Sequence, residues 1–318
     1  MTGDRSAREG SSTSRPRRSR SSSRSGQASS TSRSPGESGR PPALGAGAIR
    51  ELAARHGVRP TKSLGQHFLI DPNLARAIVA DAGVGPGEPV VEIGAGLGSL
   101  TVALAAAGAD VLAVEFDRRL VPALEEVTAG LPSVRVLHAD AMKLDWHTEL
   151  SDANGWTLCA NLPYNIAVPL VLDTLAAVPA IDRWVVMVQR EVGERLAAAP
   201  GDEHFGAASL RVAYRATASV VRRVPAAVFW PRPKVDSVVV RLDRLPAPPV
   251  DVDEGSLWRV VDGAFAERRK TMRNALRRLG LDSETADEVL AGAGVAPSAR
   301  PEEVGLEGFA AVAERVTA

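Results

Sequence analysis

The stretch that decides the fold is Glu92-Ile93-Gly94-Ala95-Gly96-Leu97-Gly98, a glycine-rich turn directly after the apolar run 89–93. Glycine has no Cβ, so the main chain at Gly94 and Gly96 can approach a bound ligand closely. A turn of this kind after the first strand of a doubly wound sheet is typical of sites for nucleotide-containing cofactors. Turns with three glycines are common in loops, so the surrounding segments have to support this interpretation.

Apolar runs of strand length recur along the chain and alternate with helical patterns. The runs lie at 89–93, 110–115, 133–138, 156–160 and 184–188. Strands that are apolar throughout and separated by helices predict a parallel sheet covered on both faces. Two later strands, near 218–223 and 235–242, have no helix between them, which predicts an antiparallel pair. The sequence therefore predicts an α/β fold with a mostly parallel sheet.

Composition divides the chain into four predicted parts. Residues 1–45 form a Ser/Arg-rich tail that is predicted to be disordered, because it has too few apolar side chains to offset the entropy of ordering. Within it, residues 1–40 hold nine Arg against three acidic residues, a net charge of +6. The Pro-rich stretch 245–251 predicts a linker between an α/β domain at 46–244 and a small C-terminal helical domain at 252–318.

Several classes of protein are disfavoured by the sequence. The chain has no run of about 18 apolar residues, so no membrane association is expected. The Arg-rich tail could be an organellar address, but it lacks the apolar stripe of a transit peptide and the apolar core of a secretory signal, which favours a cytoplasmic protein. The single Cys159 and five scattered His have no metal-binding spacing, so no metal is expected.

Two acidic residues follow the second and third predicted strands. Glu115 lies 21 residues after Gly94, at a position where an acid can accept hydrogen bonds from ribose hydroxyls. Asp140 follows the third strand, where it can accept a hydrogen bond from an adenine amino group. NAD would use similar features, but a dinucleotide site usually spaces its glycines as G-x-G-x-x-G, whereas here they fall as G-x-G-x-G. The pattern indicates a different adenosine-containing cofactor.

The tetrapeptide Asn161-Leu162-Pro163-Tyr164 ends another predicted strand. The side-chain oxygen of Asn161 and the backbone carbonyl of Leu162 can accept the two N–H bonds of an exocyclic amino group. Tyr164 can stack on the base, which has to leave its helical stack first. Phe229, in the Pro-rich segment 224–234, is a candidate for the other face of the base. Together with the glycine turn, this tetrapeptide predicts methyl transfer from S-adenosylmethionine to a nucleobase amine.

The chain resembles the small-subunit ribosomal RNA adenine dimethyltransferases over roughly residues 50–280. The resemblance lies in the segments 62–69, 91–98, 161–165, 224–240 and 265–274. It implies a Rossmann-like class I S-adenosylmethionine-dependent methyltransferase fold, with 46–244 as the methyltransferase domain. It also implies cofactor contacts at a set of positions: His67, Leu69, Gly94, Glu115, Asp140 and Asn161. Gly96, in the same turn, is a further candidate for cofactor binding because it lacks a Cβ.

A ribosomal RNA substrate requires cationic surface, because phosphate contacts supply much of the affinity. The candidates are the following residues: Arg232, Lys234, Arg268, Arg269, Lys270, Arg273 and Arg277. Arg269, Arg273 and Arg277 recur every four residues and would share one face of a helix. Charge runs are often only solvated surface, but here the rest of the chain is slightly acidic, so the local concentration of cations favours RNA contact.

The resemblance implies that the chain dimethylates two adjacent adenosines in the 3′-terminal hairpin of small-subunit rRNA during ribosome biogenesis. The expected partner is a pre-30S particle, and the expected oligomeric state is a monomer. Three alternatives stay open at this point. They are a resistance-type methylase of large-subunit rRNA, a noncatalytic RNA-binding assembly factor that keeps the fold, and an NAD-dependent dehydrogenase.

Overall fold

The computed structural model describes residues 43–61, 64–150, 155–163, 166–267 and 269–317. The predictions for residues 1–42, for Tyr164 and for Arg268 lie outside the described residues. Nine strands are found in the described part of the chain: β1 (Phe68–Leu69), β2 (Pro89–Ile93), β3 (Asp110–Glu115), β4 (Val134–His138), β5 (Trp156–Asn161), β6 (Ile181–Gln189), β7 (Ala216–Val224), β8 (Phe229–Trp230) and β9 (Ser237–Arg244).

Seven of these strands form one sheet in the order β4-β3-β2-β5-β6-β9-β7. Strands β2 to β6 run parallel to one another, whereas β9 is antiparallel to both β6 and β7. The predicted α/β fold with a mostly parallel sheet is therefore confirmed, and so is the antiparallel pairing of the strands predicted near 218–223 and 235–242, which are β7 and β9.

The described helices cover the sheet and continue into the C-terminal region. They are α1 (Ala46–Arg55), α2 (Pro72–Ala82), α3 (Ser99–Ala106), α4 (Val121–Thr128), α5 (Trp146–Glu149), α6 (Ala167–Ala177), α7 (Arg190–Leu196), α8 (Ala207–Ala213), α9 (Glu254–Phe265), α10 (Met272–Arg278), α11 (Ser283–Gly292) and α12 (Leu306–Thr317). The Asp71 side chain caps α2 by accepting hydrogen bonds from the main-chain N–H groups of Asn73 and Leu74. None of the described helices is both long and apolar enough to cross a membrane.

The central strands β2, β3, β5 and β6 are largely buried on both faces, which explains why their sequences are mostly apolar, whereas the outer strands β4 and β7 are largely half-buried or exposed. Val91, Leu158 and Val186 point to one face and pack in a core with residues of α6, such as Leu170. Alternate residues of the same strands point to the other face, where they pack against α2 and α3. Each of the central strands therefore contributes to two cores.

The functional edge of the sheet follows from the strand order. The chain runs from β2 outward to β4 and then returns to β5 on the other side of β2. In open α/β sheets, ligands bind outside the carboxyl ends of the strands where the order reverses in this way. The reversal lies between β2 and β5, so the glycine turn after Ile93 and the end of β5 at Asn161 meet at this point.

A separate two-stranded ladder joins two segments that are far apart in the sequence. Phe68 pairs with Trp230 and Leu69 pairs with Phe229, both antiparallel. Helix α1 packs nearby in a cluster that includes Phe68 and Leu97. This ladder places the segment before α2 beside the Pro-rich segment before β9.

The C-terminal helices share a core with residues that precede the Pro-rich stretch. Phe205, Leu210 and Tyr214 are buried together with Leu257 and Phe309. The predicted boundary at 245–251 therefore separates segments that pack on each other, and the assignment of domains on either side of it stays a prediction.

The expected arginine face in this region is only partly formed. Helix α10 begins at Met272, so Arg269 lies in the preceding turn and does not share the helix face of Arg273 and Arg277. The helix begins there because the backbone of Thr271 is extended, with φ −79° and ψ 163°. The prediction that the three arginines lie on one helical face was wrong for Arg269.

Candidate active site

A cavity of about 330 Å³ opens at the carboxyl ends of β2, β3 and β5. All seven residues predicted from the sequence to bind the cofactor line it: His67, Leu69, Gly94, Gly96, Glu115, Asp140 and Asn161. The order of the strands explains this convergence, because the carboxyl ends of adjacent parallel strands meet at one edge. The roles of the individual residues stay proposals.

The glycine turn forms the floor of the cavity. Gly94 and Gly96 have φ of 72° and 60°, in the left-handed region that side-chain-bearing residues rarely adopt. A Cβ on Gly96 would also meet the ring of Phe68 at 3.2 Å. Glycine at these two positions therefore leaves the main chain without a side chain where a ligand has to approach it.

Glu115 lies at the end of β3 and is only 5% exposed. Its Oε2 accepts a hydrogen bond from the N–H of Gly96 at 2.8 Å, and its Oε1 accepts one from the N–H of Asp117 at 2.7 Å. Burial raises the pKa of this carboxyl above its usual range, although the two main-chain N–H groups oppose the shift. Each oxygen has a second lone pair, so the carboxylate can still accept hydrogen bonds from ribose hydroxyls.

Two large apolar side chains at the same end of the cavity were missed by the sequence reasoning. Phe116 is 56% exposed and Met142 is 39% exposed, and both line the cavity. Asp140 lies next to them and accepts a hydrogen bond from the N–H of Met142 through Oδ1 at 3.0 Å. Exposed apolar groups around a polar acceptor fit a flat heterocycle such as adenine. The signal available in the sequence was an aromatic residue directly after Glu115.

A hydrogen-bond network fixes the segment that closes one side of the cavity. Gln66 donates to Asp117 at 2.7 Å through its Nε2 and accepts from the N–H of Thr61 at 2.8 Å through its Oε1. Arg119 also donates to Asp117, through Nε at 2.9 Å. These contacts, those of Arg119 first, lower the pKa of Asp117 to about 2, so this carboxylate stays ionised at neutral pH. The network ties the segment before β1 to the loop after β3.

Asn161 lines the cavity from the last position of β5, which lies on the other side of β2 from β3 and β4. Its Nδ2 donates a hydrogen bond to the backbone carbonyl of His67 at 3.0 Å. A carbonyl oxygen can only accept, so this contact identifies which end of the amide is the nitrogen. The Oδ1 of Asn161 is therefore the end that can accept a hydrogen bond from a ligand amino group.

The other predicted catalytic residues differ in their surroundings. Leu162 is buried, lines the cavity, and donates its N–H to the carbonyl of Met187 at 3.1 Å. Phe229 is 3% exposed and packs in the core with Leu69 and Val239. Its stacking role requires the ring to become accessible and stays a prediction.

The geometry fits S-adenosylmethionine better than it fits a metal ion. The cavity offers carboxylate acceptors and apolar faces at one end and an oriented amide at the other. No group of three or more His, Cys, Asp or Glu side chains is arranged to hold a metal ion within the described ranges.

Comparison with known proteins gives the family. The family model described as ribosomal RNA adenine dimethylase matches residues 58–316, which is most of the chain. The chain belongs to the ribosomal RNA adenine dimethylase family. The predicted family, the predicted methyltransferase activity and S-adenosylmethionine as its methyl donor are thereby confirmed.

Relatives of this adenine dimethylase are named for the small ribosomal subunit. The chain is 47% identical to the ribosomal RNA small subunit methyltransferase A of Thermobifida fusca, over 84% of this chain and 93% of that protein. It is 44% identical to the protein of the same name from Moorella thermoacetica, over 84% and 96%. The small-subunit activity is therefore supported, and the large-subunit, noncatalytic and NAD-dependent alternatives are not favoured.

Two solved structures have a similar fold over most of the chain. The 23S rRNA methyltransferase ErmE superposes with a TM-score of 0.61 at 27% identity, covering 79% of this adenine dimethylase and all of ErmE. A dimethyladenosine transferase from Plasmodium falciparum superposes with a TM-score of 0.65 at 23% identity, covering 77% and 96%. These similarities confirm the predicted Rossmann-like methyltransferase fold.

Proposed function

We propose that this chain dimethylates two adjacent adenosines in the 3′-terminal hairpin of small-subunit (16S) rRNA, on a pre-30S particle in the cytoplasm, and that it acts as a monomer. The observation that carries the proposal is the orientation of the Asn161 amide, whose nitrogen is held by the carbonyl of His67. The names of the relatives from Thermobifida fusca and Moorella thermoacetica support the small subunit as the substrate.

The amino nitrogen of adenine is a poor nucleophile, because its lone pair is delocalised into the ring. In the proposed mechanism, Oδ1 of Asn161 and the carbonyl of Leu162 accept its two N–H bonds and favour a pyramidal nitrogen. The lone pair then points along a fixed direction into the cavity. When bound, S-adenosylmethionine supplies a methyl group activated by a positively charged sulfur. The nitrogen becomes acidic only after methyl transfer, so no strong base is needed beforehand.

Positioning is the main contribution that these residues make. Holding two reactants in line is worth on the order of 7–11 kcal/mol. Pro163 keeps the main chain after Leu162 rigid, because its ring fixes φ. Tyr164 is proposed to stack on the extruded base, and Phe229 to cover the opposite face once accessible.

We propose RNA contacts on two surfaces. Arg232 and Lys234 are exposed in the segment between β8 and β9, near the carboxyl end of the sheet. Arg269, Lys270 and Arg277 are exposed in the helical region. These cations would bind phosphates without reading sequence. Arg268 is included in the second surface on sequence grounds.

Arg273 is the weakest member of the second surface. Its Nε and Nη2 donate to the two carboxylate oxygens of Asp287 at 2.5 and 2.6 Å, which neutralises its charge locally. A phosphate would have to compete with this bidentate pair. Its inclusion rests on the sequence pattern alone.

The proposal is tested with labelled S-adenosylmethionine and two substrates, undermethylated small subunits and large-subunit RNA. We expect label in the small subunit only, with two dimethylated adenosines by mass spectrometry of the RNA. The variant Asn161→Ala should lower the rate of transfer by about 100-fold or more, the range seen when one oriented polar group is removed from a reaction centre. Binding to the small subunit should be retained.

The matched control is Asn73→Ala, because Asn73 is exposed on α2 and away from the cavity. It should leave turnover unchanged. Label found only in large-subunit RNA would overturn the choice of substrate. Unchanged turnover in Asn161→Ala would refute the role assigned to the amide.

A further inference from the structure

The ladder formed by β1 and β8 joins the wall of the cofactor cavity to the segment that carries Arg232 and Lys234. In addition to the paired strands, the N–H of Ile70 donates to the carbonyl of Val228 at 2.9 Å. The rings of Phe68 and Trp230 lie 6.1 Å apart between their centroids. The wall of the cavity and the start of the Pro-rich segment therefore form one packed unit.

His67 makes two hydrogen bonds that lead in different directions from this unit. Its backbone carbonyl accepts from Nδ2 of Asn161 at 3.0 Å, and its ring Nδ1 lies 2.7 Å from the carbonyl oxygen of Pro231. Because that oxygen can only accept, Nδ1 carries the hydrogen and donates it. A single residue thus connects the amide of Asn161 to the beginning of the Arg232–Lys234 segment.

The far end of the same segment has anchors of its own. Oδ1 of Asp236 accepts a hydrogen bond from the N–H of Ala226 at 2.9 Å, and the backbone carbonyl of Asp236 accepts from the N–H of Arg190 at 3.1 Å. Between Pro231 and Asp236, the side chains of Arg232 and Lys234 are exposed. The ring of His67 is therefore an anchor at the start of the segment and Asp236 is an anchor at its end.

We propose that His67 is a positioning residue whose ring fixes the Arg232–Lys234 segment relative to the amide of Asn161, so that RNA held by the segment presents its adenine at that amide. This inference rests on the proposed function. It assigns the ring of His67 to the RNA side of the site, and leaves to the main chain of His67 the cofactor contact that the family resemblance implies at this position.

The two roles make different predictions for substitutions of His67. Alanine removes the ring donor but keeps the backbone carbonyl that orients Asn161. Asparagine supplies an Nδ2 donor at a similar distance from the main chain as the Nδ1 of histidine. A positioning role therefore predicts that methylation activity is lost in His67→Ala and recovered in His67→Asn. The affinity for S-adenosylmethionine should change little in either variant.

The first measurement is of kinetics on undermethylated small subunits together with calorimetric titration of S-adenosylmethionine. For His67→Ala we expect kcat/KM to fall about tenfold while the Kd of the cofactor changes less than twofold. For His67→Asn we expect kcat/KM within threefold of the unsubstituted protein. The exposed residue His147 provides the control, and His147→Ala should change neither quantity.

The second measurement tests how firmly the Arg232–Lys234 segment is held and does not depend on enzyme activity. The bond between Lys234 and Val235 is a trypsin site, and Val235 is 47% exposed, whereas the bond after Arg232 precedes proline and resists trypsin. Limited proteolysis followed by mass spectrometry gives the rate of cleavage after Lys234. We expect cleavage at least five times faster in His67→Ala and near the original rate in His67→Asn.

The outcomes separate this inference from the proposed function. If the unsubstituted protein methylates small subunits but cofactor affinity falls in step with activity in His67→Ala, the ring serves the cofactor and the inference is overturned. Unchanged kcat/KM and unchanged cleavage in His67→Ala also overturn it. An unsubstituted protein that methylates no small-subunit RNA refutes the proposed function, while the cleavage rates still decide whether the ring anchors the segment.

Discussion

Glu92 allows a quantitative prediction about stability, because it is an acid in the interior of the sheet. It lies in β2, is 2% exposed, and its Oε2 accepts a hydrogen bond from Oγ1 of Thr101 at 2.5 Å. Burial raises its pKa to about 8, and the nearby carboxylate of Glu115 adds to the shift, whereas the hydrogen bond opposes it. Glu92 is therefore protonated in the folded protein at pH 7.

The free energy of unfolding should fall as the pH rises from the ordinary pKa of a Glu carboxyl to the raised pKa of Glu92. Between the ordinary pKa of 4.5 and the folded value of about 8, the unfolded chain releases a proton that the folded chain keeps. Stability then falls by about 1.4 kcal/mol per pH unit in this interval, and is constant on either side of it as far as Glu92 is concerned. The total decrease in the free energy of unfolding that Glu92 causes is roughly 3 kcal/mol at pH 7 and on the order of 5 kcal/mol above pH 8.

The variant Glu92→Gln removes this titration and keeps an oxygen for Thr101 to donate to. Urea unfolding of both proteins is measured at about pH 5, 6, 7 and 8, and the slope of each transition is checked so that the same transition is compared. The control is Glu125→Gln, because Glu125 is exposed. The free energy of unfolding of Glu92→Gln minus that of the unsubstituted protein should increase by more than about 2 kcal/mol from pH 5 to pH 8. A difference that is independent of pH would refute the reasoning.

Two further predictions concern the ligands. Phe116→Ala should weaken binding of S-adenosylmethionine about five- to tenfold in calorimetry, because an aromatic contact worth about 1 kcal/mol is lost beside Met142. Phe116→Tyr should bind with the affinity of the unsubstituted protein. Equal affinity in all three proteins would show that the ring of Phe116 does not contact the cofactor. Replacing Arg232 and Lys234 together by Gln should reduce the slope of log K against log salt for RNA binding by about 1.4 to 1.8, since each phosphate contact contributes about 0.7 to 0.9; an unchanged slope would show that neither cation contacts phosphate.

The sheet and its ligand edge could be predicted because the sequence signals were local. Each parallel strand contains a mostly apolar run, interrupted in β4 by Arg135, and the glycine turn marks the strand at which the order reverses. The ends of the strands then place Glu115, Asp140 and Asn161 at one edge. These predictions need only the alternation of strands and helices and the rule that ligands bind where strand order reverses.

The features that sequence reasoning missed depend on contacts between distant segments. Strands β1 and β8 have two residues each, which is too short for any periodicity, and their partners lie about 160 positions apart in the chain. The contact between His67 and Pro231 depends on this pairing. Arg269 was placed on the helix of Arg273 and Arg277 although a signal against this was present, since Thr, the residue type at 271, is common at a helix N-cap.

The orientation of the Asn161 amide and the position of the Arg232–Lys234 segment depend on different atoms of one residue. The amide is held by the main-chain carbonyl of His67, which every substitution at this position retains, whereas the segment is held by the ring. A side-chain change at position 67 should therefore alter how RNA is presented without turning the amide of Asn161, which we propose to be catalytic. Because the two contacts use separate atoms, another side-chain donor at position 67, such as that of Asn, should hold the segment while the alignment of the reacting nitrogen is preserved.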